Sequence, residues 1–180
     1  MPSLIFVTDP DRTPDLLSIA ERLPRGAGVI HRGFGQPGAR ETAAALGRLA
    51  RARGLTLLIG ADAELAAAVG AAGVHLPERL LAQVARVRSQ RPGWLLTGAA
   101  HSRAALARAG RLELDAALVS PVFPSRSPSA LSLLGTARLA AWVRESTLPV
   151  IALGGVDART APRLLGTGVA GLAAVEAFAA

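Results

Sequence analysis

The 180-residue chain is 51% hydrophobic and 18% charged, a composition typical of a well-packed globular protein and not of a disordered one. All 20 basic residues are arginine, and lysine, cysteine and tyrosine do not occur, which excludes Schiff-base catalysis by lysine, thiolate catalysis and disulfide bridges. The net charge of +7 comes from arginines scattered along the chain, and with only 3% aromatic residues this pattern does not favour nucleic-acid binding.

Eight short apolar runs rich in β-branched residues are predicted to be strands; they are residues 4–8, 28–32, 56–60, 73–76, 94–98, 116–120, 150–153 and 169–175. Helical periodicity predicts helices between them, at residues 13–23, 39–53, 63–69, 79–88, 103–109, 137–144 and 158–165. This alternation predicts parallel βαβ units, and eight units favour a single compact (β/α)8 TIM barrel. An open doubly wound sheet is the alternative, because it uses the same units.

Residues 1–180 are expected to form one domain, because this length supplies one sizeable core but not two. No apolar run reaches the roughly 18 residues of a transmembrane helix. Residues 1–8 also lack the basic region and long apolar region of a signal peptide. We therefore expect a cytoplasmic protein with no membrane partner.

A phosphate site is predicted after the seventh strand, because ligands of such barrels bind at the C-terminal ends of the strands. Residues 150–156, Val-Ile-Ala-Leu-Gly-Gly-Val, run from a strand into Gly154 and Gly155 and then into a helix predicted from about Asp157. Glycines at this point let backbone N–H groups approach an anion at a helix N-terminus. A simple tight turn is the alternative.

The loop after the sixth strand is a second candidate. Residues 119–128, Val-Ser-Pro-Val-Phe-Pro-Ser-Arg-Ser-Pro, carry the hydroxyls of Ser125 and Ser127 around Arg126. Arginine binds phosphate with two parallel hydrogen bonds, so this loop is predicted to contact a phosphorylated ligand. The alternative is that this segment is only a stiff surface loop with no role in binding.

Several of these segments resemble, in order and spacing, the thiamine phosphate synthase and TenI family. They are Gly-Val-His-Leu at 73–76, Ala-His-Ser at 100–102, Ser-Pro-Val-Phe-Pro at 120–124, Pro-Val-Ile-Ala-Leu-Gly-Gly-Val at 149–156 and Gly-Leu-Ala-Ala-Val at 171–175. The resemblance covers nearly the whole chain and implies a small (β/α)8 barrel of thiamine biosynthesis. The family's synthase joins a pyrimidine diphosphate to a thiazole phosphate, with Mg2+ neutralising the leaving diphosphate.

The chain departs from the family at the metal and diphosphate positions. Of the family's Gln-x-Arg-x-Lys pattern after the second strand, only the arginine remains, as Arg32. Ala61 replaces an aspartate that binds the metal in the family. Pro128 replaces a lysine. Asp62 and Glu78 are candidates for a shifted metal site, with helix capping and solvated surface as the alternatives.

The resemblance implies that the thiazole-phosphate half is retained. Gly154, Gly155 and the backbone around Val175 match the family's phosphate site. Glu176 lies where the family usually has a small residue, and its charge would be unfavourable for an anion if it points inward.

Among the histidines, His101 matches one that TenI-type proteins use to tautomerise a thiazole carboxylate phosphate. That proton transfer needs no metal and suits an imidazole, so His101 is the predicted catalytic residue. The alternative is a histidine that caps a helix or bonds a backbone carbonyl. His75 is expected to pack inside its strand, and His31 to line the site or face solvent.

Three hypotheses follow. The first is a TenI-like enzyme that binds a thiazole phosphate, uses His101 and requires no cofactor. The second is a divergent Mg2+-dependent thiamine phosphate synthase that uses Arg32, Asp62 and Glu78. The third is a non-catalytic or regulatory barrel that binds a phosphorylated ligand. All three leave homo-oligomerisation open.

Overall fold

The computed structural model describes residues 1–33, 35–126 and 133–178 and forms a closed barrel of eight parallel strands. Each strand pairs with its neighbours in sequence, and the last pairs with the first through Leu4 with Leu172, Ile5 with Ala173 and Phe6 with Ala174. The (β/α)8 TIM barrel predicted from the sequence is therefore confirmed. The open sheet is wrong, because no edge is left between the first and eighth strands.

The strands are β1 Leu4–Val7, β2 Gly28–His31, β3 Thr56–Gly60, β4 Gly73–Leu76, β5 Leu95–Ala100, β6 Ala116–Val119, β7 Val150–Ala152 and β8 Gly171–Ala174. The α-helices are α1 Leu16–Arg22, α2 Ala39–Arg53, α3 Ala63–Val69, α4 Val84–Gln90, α5 Arg103–Ala109 and α6 Gly135–Glu145. Two 3-10 helices span Glu78–Gln83 and Ala161–Leu164. The predicted bounds of β3, β4, α2, α3 and α5 agree with these, and most others differ by one to three residues at an end.

The strands are buried on both faces, as parallel strands covered by helices must be. One face packs against neighbouring strands inside the barrel in a cluster of Ile5, Val7, Ile30, Leu58, Ala116, Leu118, Ile151 and Ala173. The other face packs against the helices: Phe6 and Val29, for example, belong to the same core cluster as Ile19 of α1 and Leu46 of α2. No helix within the described ranges is long and apolar enough to cross a membrane.

Helix α2 shows how the sequence positions the outer layer. Its buried residues, Ala43, Leu46, Gly47 and Ala50, recur at helical spacing. At Gly47 an added Cβ would lie 2.6 Å from the carbonyl oxygen of Val69 in α3, so the absent side chain lets the two helices approach closely.

The helix predicted at 158–165 is wrong. In the structure, the Asp157 carboxylate accepts hydrogen bonds from the backbone N–H groups of Arg159 and Thr160 at 2.8 and 2.9 Å, which stabilises a turn. Only the short 3-10 helix Ala161–Leu164 follows. Pro162 explains this, because proline has no N–H to donate and disfavours helical backbone at the residue before it.

Strand β4 provides a test of this packing. An added Cβ at Gly73 would lie 1.9 Å from the carbonyl oxygen of Leu95 in β5, whereas one at Gly93 would meet nothing within 4 Å. Gly73→Ala is expected to lower the free energy of unfolding by about 3 kcal/mol, because backbone must move to relieve the overlap. Gly93→Ala is the matched control and should change it by less than about 0.5 kcal/mol. Urea unfolding measures both, and equal stabilities for the two variants would contradict this account of the packing.

Candidate functional site

A cavity of about 1110 Å³ lies at the C-terminal end of the barrel. Residues that follow all eight strands line it, so it occupies the position at which ligands bind to such barrels. Of the predicted site residues, the following line it: Arg32, Asp62, His101, Ser125, Arg126, Gly154, Gly155 and Val175. Ser127 lies outside the described residues, and its predicted role stays a prediction.

The glycine pair after β7 is required by close packing against the loop after β6. Gly154 and Gly155 have φ angles of 93° and 64°, a left-handed conformation that side chains disfavour. An added Cβ at Gly155 would lie 2.3 Å from the Pro124 carbonyl oxygen. Hydrogen bonds from Val122 N–H to the Leu153 carbonyl and from Phe123 N–H to the Gly154 carbonyl, at 3.0 and 2.9 Å, join the two loops.

This conformation leaves backbone donors available. In the described part of the chain, the N–H groups of Gly154, Gly155 and Val156 donate to no protein acceptor, and neither do those of Val175 and Glu176. Successive N–H groups in such turns form a concave surface that can bind an anion. Because the predicted helix after Asp157 is absent, any anion here would be bound by loop N–H groups and not by a helix N-terminus.

His101 is held at the cavity by contacts on both its backbone and its ring. Its backbone N–H donates to the Glu78 carboxylate at 3.0 Å. Its ring Nδ1 lies 3.1 Å from the backbone carbonyl oxygen of Ser120 and 3.2 Å from the Ser120 hydroxyl. A carbonyl oxygen can only accept, so this contact favours the tautomer with the proton on Nδ1, in which Nε2 keeps its lone pair.

His75 lies inside the barrel, as expected, but it also lines the cavity, which the sequence analysis missed. Its Nδ1 lies 2.9 Å from the Thr97 hydroxyl. Burial lowers the pKa of His75 to about 4, and the positive charge of Arg32 lowers it further, so the ring is neutral near pH 7. The alternation along β4 was the available signal: Val74 and Leu76 pack toward the helices, which directs His75 inward.

His31 neither lines the cavity nor faces solvent, contrary to both expectations. It is 3% exposed, with Nε2 3.3 Å from the Ala39 carbonyl and Nδ1 3.4 Å from the Thr8 hydroxyl. Burial lowers the pKa of His31, and the hydrogen bond to Ala39 opposes that effect. The Thr8 hydroxyl accepts the backbone N–H of Arg32 at 3.0 Å, so His31 supports the position of Arg32 from behind.

Ion pairs surround the rim of the cavity next to β1. Asp9 accepts from Arg12 at 2.7 Å and from Arg32 at 3.1 Å, and Arg32 Nε also donates to the Thr8 carbonyl at 2.8 Å. Burial alone would raise the pKa of Asp9, but the hydrogen bond from Arg12 and the charges of both arginines lower it overall. The sequence analysis did not identify Asp9 as a site residue, although its three-residue spacing to Arg12 was visible.

The two candidate metal ligands are engaged elsewhere. Asp62 caps α3 by accepting the N–H of Leu65 at 2.8 Å, and Glu78 accepts from His101 N–H and from Arg108 at 3.2 Å. Across the described ranges, no group of three or more histidine or carboxylate side chains could hold a metal ion. Mg2+ in such sites binds one or two carboxylates together with waters and substrate phosphates. Of the two carboxylates only Asp62 lines the cavity, and both are engaged by protein donors, so they do not fit a shared site.

Comparisons with known proteins agree with the fold. Residues 4–178 match the family model described as thiamine monophosphate synthase. The chain is 35% identical over 141 residues to a putative thiamine-phosphate synthase of Geobacter sulfurreducens, a match that spans 78% of this chain and 66% of that protein. It is 32% identical over 184 residues to the thiamine-phosphate synthase of Laribacter hongkongensis, across 98% of this chain and 87% of that protein.

A solved structure, the thiamine phosphate pyrophosphorylase from Pyrococcus furiosus, has a TM-score of 0.80 at 22% identity. The structural match spans 99% of this chain and 88% of that chain. At this identity the likeness establishes the shared barrel fold.

The burial of His75 predicts a pH-dependent stability. Its pKa is about 4 in the folded protein, against the ordinary 6.5 that the unfolded chain should have. Between these values the unfolded chain binds more protons, so the free energy of unfolding falls as pH drops from about 6.5 towards 4. The shift corresponds to a loss on the order of 3 kcal/mol, measurable by urea unfolding across this range.

His75→Gln is the test variant, because glutamine can still hydrogen-bond to Thr97 without titrating. It should reduce the slope of stability against pH, leaving the smaller contribution of His31, whose pKa burial also lowers. The lowered pKa of Asp9 acts in the same sense, but only as pH falls to about its ordinary value of 3.8 and below, so it adds little to the slope at higher pH. The same slope of stability against pH in wild type and His75→Gln would refute the assignment of this pH dependence to His75.

Proposed function

Because the chain belongs to the thiamine monophosphate synthase family of thiamine biosynthesis, we propose that its cavity binds a thiazole phosphate and that His101 isomerises this ligand by proton transfer. The reaction moves one proton between two positions of the ligand, so no atom is gained or lost. It needs one group that can both accept and donate a proton near neutral pH.

The geometry of His101 is the observation that carries this proposal. The Ser120 carbonyl holds the proton on Nδ1 at 3.1 Å, and no partner occupies Nε2 among the described residues. Nε2 can therefore remove a proton from the ligand and return it at a second position. Imidazole is suited to both steps because one ring can accept a proton and then donate it.

The N–H groups after β7 and β8 support binding of the ligand's phosphate. Gly154, Gly155 and Val156 present donors on one side of the cavity, and Val175 and Glu176 present donors from the next strand. Arg126 lies on the loop after β6, which packs against the glycine pair. Backbone donors together with an arginine match the charge and hydrogen-bonding capacity of a phosphate monoester.

A divergent synthase is the second candidate, and two observations favour it. The cavity volume of about 1110 Å³ exceeds the roughly 300–1,000 Å³ usual for one small ligand, which leaves space for two heterocycles. Five arginines, at positions 12, 32, 79, 126 and 163, line the cavity and could compensate a diphosphate. The poor fit of Asp62 and Glu78 to Mg2+ weighs against this candidate.

Removing the imidazole tests the leading proposal. His101→Ala is expected to lower kcat for isomerisation of thiazole carboxylate phosphate by roughly 100- to 10,000-fold, with little change in ligand affinity. Added imidazole should restore part of the rate, because it can occupy the space left by the ring. The measurement is turnover with deuterium uptake from D2O, with and without EDTA. Glu145→Gln, at a surface residue whose ion pair with Arg103 lies outside the cavity, is the control and should retain activity. An unchanged rate in His101→Ala would remove His101 as the base.

Ligand stabilisation distinguishes the candidates. Thiazole phosphate at about 100 times its Kd should raise the free energy of unfolding by about 2.7 kcal/mol without Mg2+, whereas pyrimidine diphosphate should add little. Thermal unfolding with each ligand, with and without Mg2+, measures this. Stabilisation by pyrimidine diphosphate that depends on Mg2+ would favour the synthase. Stabilisation by thiazole phosphate without any turnover would favour a non-catalytic binding protein.

A further inference from the structure

The rim of the cavity contains a chain of alternating charges that joins four loops. It runs from Arg32 after β2, through Asp9 and Arg12 after β1, to Glu176 after β8 and Arg126 after β6. The Glu176 carboxylate pairs with Arg126 through Oε1 and lies 3.9 Å from Arg12 through Oε2. One carboxylate thus engages two of the arginines that line the cavity.

The position of Glu176 is unusual for a carboxylate. Its side chain is 30% exposed and lines the same cavity as Val175, the preceding residue, and the glycine pair. A carboxylate and a phosphate oxygen accept the same hydrogen bonds from a guanidinium. Within the folded chain, Glu176 therefore already pairs with Arg126, the cation that an anionic ligand would need.

We propose that Glu176 is a specificity-determining residue that competes with the ligand's anionic group for Arg126 and Arg12. A phosphate that enters must displace the Glu176 carboxylate from Arg126 or bind close to it. Repulsion from Glu176 grows with the charge of the ligand, so it opposes a diphosphate more strongly than a monophosphate. The residue thereby selects monophosphates over diphosphates. This inference rests on the proposed function only for the presence of a phosphate-binding site, not for the reaction.

Glu176→Gln tests the proposal, because glutamine keeps the size of the side chain and removes its charge. Inorganic phosphate and inorganic pyrophosphate are the probes, titrated by isothermal calorimetry at low ionic strength. We expect phosphate to bind about tenfold more tightly to the variant and pyrophosphate to gain by a larger factor, because repulsion increases with ligand charge. Added salt should reduce both gains.

Glu145→Gln is the matched control. Glu145 also pairs with an arginine, Arg103 at 2.6 Å, but neither residue lines the cavity among the residues described. The substitution removes the same charge and the same kind of ion pair, so phosphate affinity should not change. An equal gain in Glu145→Gln would assign the effect to net charge and overturn the proposal.

Arg126→Gln separates competition from a structural role. If Glu176 masks Arg126, the loss of Arg126 weakens phosphate binding more in the Glu176→Gln background than in the wild type. Equal losses in both backgrounds would overturn the proposal, as would phosphate binding that is unchanged or weaker in Glu176→Gln. Absence of phosphate binding in every variant would contradict the proposed function as well, whereas equal binding in wild type and Glu176→Gln contradicts this inference alone.

Discussion

The pairing of β8 with β1 is the constraint on which the site depends. Residues 4–6 align with residues 172–174, and this closure brings the C-terminal ends of all eight strands to one rim. Loops far apart in sequence then meet: Arg32 reaches Asp9, and Arg126 reaches Glu176 across 50 positions. An open doubly wound sheet does not close on itself and would not bring the C-terminal ends of all eight strands to one rim.

Close packing, more than side-chain chemistry, shapes the side of the cavity formed by the loops after β6 and β7. The loop after β6 lies so near the loop after β7 that a Cβ at Gly154 would be 2.8 Å from Pro121. The glycines required by this contact take a left-handed conformation, and that conformation leaves their N–H groups without protein acceptors among the described residues. The structural and the functional explanation of the glycine pair are therefore the same, since the turn that packs the loops also exposes the donors.

Electrostatics distinguish the two ends of the cavity. On the β4 and β5 side, His75 and His101 provide imidazoles; burial keeps His75 neutral, and the Ser120 carbonyl sets the tautomer of His101. On the β1 and β8 side, arginines and carboxylates alternate. Five arginines and three carboxylates line the whole cavity, so it retains a surplus of positive charge suited to an anionic ligand.

The sequence by itself determined the alternation of strands and helices, because hydrophobic periodicity depends on local residue order. It also located Gly154, Gly155 and His101 at strand ends, where the structure places them around one cavity. The helix expected after Asp157 does not form for a local reason, the proline at position 162. The prediction was wrong because it gave more weight to the hydrophobic periodicity than to Pro162.

Only the tertiary structure decided which polar groups meet. The side-chain hydrogen bonds of His75 with Thr97 and of His31 with Thr8, and the ion pair of Glu176 with Arg126, join residues more than twenty positions apart. Parallel pairing of β4 with β5 and of β1 with β2 creates the two histidine contacts, and the meeting of the β6 and β8 loops at the rim creates the ion pair. No local pattern in the sequence encodes them.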